Sequence, residues 1–84
     1  MRLQNKVILV TGSCTGIGKA IASQCVVEGA RVIIHGLERD LGAAVVAELG
    51  AENAVLHIED LVAEGSADRL VALAVESFGK LDAI

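Results

Sequence analysis

Three times in succession a short aliphatic run is followed by a longer segment whose apolar residues recur at helical spacing, and each such segment closes on a glycine. Val7 to Val10 reads as a buried strand, after which Ile17, Ala20, Ile21 and Cys25 share one face of a helix that Gly29 stops. The run "ARVIIHG" from Ala30 is rich in β-branched residues and predicts a second strand. Leu41, Ala44, Val45 and Leu49 then give a second helical stripe ending at Gly50. "NAVLHI" from Asn53 predicts the third strand. Ala67, Leu70, Val71, Ala74 and Phe78 mark a third helix, with Ser66 as its expected N-cap and Gly79 as its stop. Strands alternating with helices of this length imply right-handed crossovers, hence an α/β fold in which helices cover both faces of a doubly wound parallel sheet. Nothing in the chain reads as a linker or a low-complexity segment, so it forms one domain or part of one.

A chain of 84 residues buries only about 60 to 65% of its unfolded surface and lies near the lower limit for folding alone. Of its residues 54% are apolar and one, Phe78, is aromatic, so the core is built from Val, Ile, Leu and Ala. That composition suits strands covered on both faces. No uninterrupted apolar run approaches the roughly 20 residues of a membrane span, and the start "MRLQNKVILV" has too short an apolar run for a secretory signal. A cytoplasmic location is the expectation. Cys14 and Cys25 fit no metal-ligand spacing and read as two reduced thiols, so no metal site is expected. A net charge of -4 with no basic cluster argues against nucleic acid or an anionic membrane surface as partner.

Between the first strand and the first helix stands "VTGSCTGIG", Val10 to Gly18, with three glycines in seven residues. A helix N-terminus exposes unpaired N–H groups and a partial positive charge, which makes phosphate its natural guest. Gly12 allows the tight turn, Gly16 removes a Cβ that would hold a pyrophosphate away, and Gly18 lets the helix pack closely. A glycine string alone is weak, but its place between strand and helix is the context that a dinucleotide-binding loop requires.

These residues resemble the Thr-Gly-x-x-x-Gly-x-Gly signature of the short-chain dehydrogenase/reductase family, and the likeness continues through "EGARVIIHG", "EDLV" and "ESFGKLDAI". The resemblance implies that residues 1–84 are the N-terminal part of an NAD(P)-binding, Rossmann-type domain, incomplete, with three βα units and the start of a fourth strand at Leu81. It implies that Gly12, Ser13, Cys14, Thr15, Gly16, Ile17 and Gly18 line the cofactor pyrophosphate and adenosine ribose, and that Asp60 and Leu61 hold the adenine. Val62 stands where the family often has Thr or Ser. In the family, "LDAI" leads into Val-Asn-Asn-Ala-Gly and then into a catalytic Ser, Tyr and Lys. This chain has no Tyr, and Lys6, Lys19 and Lys80 lack the Tyr-x-x-x-Lys context, so it carries no catalytic residue and is expected to be inactive alone. The longer enzyme implied is a homo-oligomer that moves hydride between a nicotinamide and a small alcohol or ketone.

Cofactor choice falls to the end of the second strand. Family members that prefer NAD usually place Asp where this chain has Gly36, and NADP-preferring members often carry a basic residue at the positions of Thr15 or Leu37. Glu38, twenty residues after Gly18, has the spacing of an acidic ribose ligand, whereas Arg39 is placed to pair with a 2′-phosphate for which Gly36 leaves room. The expectation is NADP. His35 and His57 read as structural or solvent-facing, with His35 near enough to line the adenosine site. Thr11 is expected to support the turn through its hydroxyl, and Lys19, Glu48, Arg69 and Glu76 to be solvated. Two other functions fit the same residues: a non-catalytic dinucleotide-binding or regulatory module, and a structural βαβ module completed by another chain.

Overall fold

The computed structural model describes residues 2–84. The elements follow in the order β1 (Val7–Val10), α1 (Gly16–Val27), β2 (Arg31–Gly36), α2 (Arg39–Leu49), β3 (Ala54–Ile58) and α3 (Ser66–Phe78). The strands form a parallel sheet in the order β1-β2-β3, with Ile8 level with Val32 and Ile33 level with Val55. After α3 the chain crosses back to the free side of β1. There Leu9 N–H donates to Ala83 O at 2.9 Å and Asp82 N–H to Val7 O at 2.8 Å, and Ala83 bridges Ile8 in parallel. This isolated bridge lies on the opposite side of β1 from β2.

Side chains alternate along each strand, so the sheet has two apolar faces. Val10, Val32, Ile34 and Ala54 pack with Ala22 of α1 and Val45 of α2, while Val7, Leu9 and Ile33 pack with Leu70 and Ala74 of α3. Two crossovers running from β1 toward β3 put α1 and α2 on one face. The third runs the other way and, with the same right-handed sense, puts α3 on the opposite face. The doubly wound α/β arrangement is therefore present, and the reversal of direction at β1 opens a crevice beyond its carboxyl end.

The helix faces differ from the sequence expectation. In α1, Ile17, Ala20 and Ile21 are exposed, and the face against the sheet is Gly18, Ala22, Cys25 and Val26. The helix is apolar nearly all round, so spacing alone did not choose a face. Ile17 and Ile21 border a groove with Ile8 and Ile84. In α2 the inward stripe is Gly42, Val45, Val46 and Leu49, with Leu41 and Ala44 outside; in α3 it is Leu70, Leu73, Ala74 and Phe78, with Ala67 and Val71 outside. Ser66 is not the N-cap. Gly65 holds that position, and the Ser66 hydroxyl donates instead to Leu61 O at 2.8 Å, folding the loop before α3 back on itself.

Candidate functional site

In a parallel sheet every strand delivers its carboxyl end to the same edge, and here three loops meet there. They enclose an open cavity of about 430 Å³ lined by Thr11, Gly12, Cys14, Thr15, His35, Gly36, Leu37, Glu38, Asp60 and Leu61. That volume is within the usual range of small-molecule sites, about 300 to 1,000 Å³.

Its floor is the loop from Thr11 to Thr15. Gly12 and Gly16 have φ of 63° and 61°, a region that L side chains rarely occupy, and a Cβ on either would point into open space. Gly18 is needed for a different reason: its Cβ would overlap the carbonyl of Gly12 and come within 3.1 Å of Ser13 Cα. The first turn of α1 thus rests on the backbone of the loop itself. Thr15 is the N-cap without a side-chain hydrogen bond, and the first turn holds no acidic residue. The opening N–H groups of α1 are left to an external acceptor.

Ser13 is fully buried beneath this floor. Its N–H donates to His35 O at 2.7 Å, its hydroxyl donates to Val10 O at 2.6 Å and accepts from His35 N–H at 2.9 Å. Both polar groups are spent on fixing the loop to β2, so Ser13 shapes the cavity without lining it. The hydroxyl that supports the turn is therefore that of Ser13, whereas Thr11 is exposed and lines the cavity.

Cys14 faces inward against β2 and α2. Its Sγ fills the place a Cβ of Gly36 would take, and lies 3.0 Å from where one of Gly42 would be. The volume that a side chain at Gly36 would take is thus filled by Cys14, while the backbone of Gly36 lines the cavity. Burial, and secondarily the charge of Glu38, push the Cys14 thiol above its ordinary pKa, so it is held neutral.

Of the twelve residues the sequence assigned to cofactor binding, the cavity gathers Gly12, Cys14, Thr15, Leu37, Glu38, Asp60 and Leu61. Gly16 begins α1 beside it, and Ile17 and Gly18 line the adjoining apolar groove. Glu38, the N-cap position of α2, lines the wall; Arg39, the first residue of that helix, is exposed and does not. Asp60 accepts Val62 N–H at 3.0 Å, so one carboxylate oxygen fixes its own loop.

Arg69, expected to be solvated, reaches back from α3 to Glu59. Its Nε donates at 3.0 Å and its Nη2 makes a second bond to the same carboxylate, while His57 Nε2 lies 2.8 Å from Glu59 Oε1. Arg69 also donates to Glu64 O at 2.7 Å, so the cluster braces the loop carrying Asp60 and Leu61 from both ends. Hydrogen bonds from Arg69 and then from His57 hold the Glu59 carboxyl down from its ordinary 4.5 to about 2. A carboxylate with a depressed folded-state pKa stabilises the fold fully above its unfolded value and loses that contribution as pH falls through the folded one. The stability lost in Arg69→Ala is therefore expected to shrink between pH 4.5 and about 2. Urea midpoints of parent and variant across that window check this, and a loss independent of pH would refute it. Glu59, seven positions before α3, and Arg69, in its first turn, are ten apart in sequence and give no periodic signal; a Glu and an Arg bracketing a strand-to-helix loop was the only available hint.

A family model described as short chain dehydrogenase matches residues 6–84. Cis-2,3-dihydrobiphenyl-2,3-diol dehydrogenase of Rhodococcus globerulus is 43% identical over 83 residues, covering 98% of this chain and 29% of that protein. Momilactone A synthase of Oryza sativa subsp. japonica is 41% identical over 81 residues, covering 96% of this chain and 30% of that protein. The crystal structure of a short-chain dehydrogenase/reductase, a glucose/ribitol dehydrogenase from Brucella melitensis, superposes with a TM-score of 0.90 at 34% identity, over 98% of this chain and 35% of that one. The chain spans about a third of the length of the proteins it matches.

Proposed function

Because the chain belongs to the short-chain dehydrogenase family, we propose that residues 1–84 are the N-terminal, cofactor-holding part of a Rossmann-type domain in an NAD(P)-dependent oxidoreductase acting on a small alcohol or ketone. The observation that carries this reading is the cradle at Gly12 and Gly16: both adopt positive φ and both would project a Cβ into open space above a helix start with no acidic residue. Such a cradle fits a pyrophosphate.

The opening N–H groups of α1, at Gly16, Ile17 and Gly18, would bind the pyrophosphate. Asp60 and Leu61 would hold the adenine, with the free oxygen of Asp60 as acceptor. Glu38 would take the hydroxyls of the adenosine ribose. A bound nicotinamide dinucleotide supplies hydride transfer; the residues here bind and orient it. Within the coarser assignment of NAD(P), the position of Glu38 in the wall and of Arg39 outside it favours NAD. This departs from the NADP preference argued from sequence, which relied on Arg39 and on space at Gly36 that Cys14 occupies. The described residues include no helix long and apolar enough to cross a membrane. A cytoplasmic setting and assembly as a homo-oligomer belong to the same proposal, resting on the two free cysteines for the first and on the family alone for the second.

The test is calorimetric titration of the full-length protein carrying these residues with NAD and NADP. Saturable binding of either is expected, and Gly16→Val should lose it while remaining folded. Absence of binding to both, or undiminished binding by Gly16→Val, would overturn the reading.

A further inference from the structure

We propose that His35 is a positioning residue that clamps the loop after β1 to the loop after β3, holding the pyrophosphate side and the adenine side of the cavity at a fixed separation. The inference rests on the dinucleotide reading above. The ring is buried, with 4% of the residue exposed, and both of its nitrogens are engaged. Nε2 lies 2.7 Å from Glu59 O. A carbonyl only accepts, so Nε2 carries the hydrogen, and the lone pair of Nδ1 accepts Gly12 N–H at 3.4 Å.

The sheet order explains why a side chain is needed. β1 and β3 are both neighbours of β2 but not of each other, so their ends lie about 10 Å apart, two strand spacings, beyond the reach of any backbone hydrogen bond. Only a residue on the intervening strand can touch both. His35 does so from near the end of β2, where its own backbone is tied to Ser13 through His35 O and His35 N–H. A neutral imidazole places an acceptor and a donor on a rigid ring, so the spacing it imposes is not softened by rotatable bonds. Neither anchor is loose. Gly12 opens the anion-binding loop. Glu59 precedes Asp60, with its N–H donating to Gly36 O at 3.2 Å and its carboxylate gripped by Arg69 and His57.

Two variants of the full-length protein test the clamp. His35→Phe keeps a ring of similar size without nitrogens, whereas His35→Gln retains a terminal amide N–H able to reach Glu59 O. Calorimetry with NAD and NADP is expected to show affinity reduced at least about tenfold in His35→Phe and largely restored in His35→Gln, because the former removes the protein partner of both the Gly12 N–H and the Glu59 carbonyl at half-buried hydrogen bonds. Nitrogen NMR of the parent should show a pyrrole-type Nε2 and a pyridine-type Nδ1 at His35, and the Gly12 amide should shift in His35→Phe. A filler role would leave affinity unchanged in the Phe variant. Affinity within twofold of the parent in a folded His35→Phe, or hydrogen on Nδ1 in the parent, overturns the proposal. Should the Phe variant not fold, parental affinity in His35→Gln together with the pyrrole-type Nε2 supports the clamp, and its loss in His35→Gln overturns it. A parent that binds neither dinucleotide removes the function reading, and the nitrogen assignment with the Gly12 amide then still decides whether the clamp exists.

Discussion

Gly18→Val is expected to abolish dinucleotide binding and to destabilise the full-length protein by about 3 kcal/mol or more, the upper end of what overpacking costs. The size of the effect follows from what the new Cβ would meet. Its obstacles are the carbonyl carbon of Gly12 at 2.8 Å and Ser13 Cα at 3.1 Å, together with the Gly12 oxygen closer still. These are backbone atoms of a loop held by the buried hydrogen bonds of Ser13, so they cannot swing aside as a side-chain tip would. Relief requires α1 to retreat from the loop, which moves the very N–H groups that are to meet the pyrophosphate. Gly16→Ala makes the contrast. Its Cβ meets no protein atom, so its cost is that of holding an L residue at φ 61°, about 1 to 2 kcal/mol. Urea midpoints combined with NAD titration separate the two: Gly18→Val should lose stability and binding together, and Gly16→Ala mainly binding. A Gly18→Val protein with the midpoint of the parent would show that the helix does not rest on the loop.

The second large effect concerns the choice between NAD and NADP. On the proposed reading, a charge-assisted hydrogen bond from ribose hydroxyls to Glu38 would contribute about 1.5 to 3 kcal/mol, roughly ten- to a hundredfold in affinity. The same carboxylate repels a 2′-phosphate. NAD is therefore expected to bind at least about tenfold more tightly than NADP. Glu38→Gln should narrow that ratio, and Arg39→Ala should leave it unchanged. Tighter binding of NADP, lost in Arg39→Ala, would instead make Arg39 the discriminating residue. Installing the more usual acid by Gly36→Asp should fail on its own, because the new Cβ would collide with Cys14 Sγ in a packed interior. Combined with Cys14→Gly it should be tolerated. The two changes are expected to be strongly non-additive, as for any pair that contests one volume; simple additivity would show that the two positions are independent.

The amino-acid sequence by itself determined the alternation of strands and helices, the limits of β1 at Val7–Val10, and the glycine-rich turn leading into α1. These are set within a few residues, by the period of apolar side chains and by which residues tolerate a positive φ, so they are legible locally. The helix faces were not, because α1 is apolar nearly all round and the sheet, not the helix, decides which side is covered. Nor were the duties of Ser13, Cys14, His35 and Arg69. Each is defined by a partner on another strand or loop: Ser13 by His35, Cys14 by Gly36, His35 by Gly12 and Glu59 together, Arg69 by Glu59. Only the parallel register brings those pairs to one edge of the sheet. The short range of steric and hydrogen-bond forces then lets side chains far apart in sequence settle which atoms line the cavity and which hold it up.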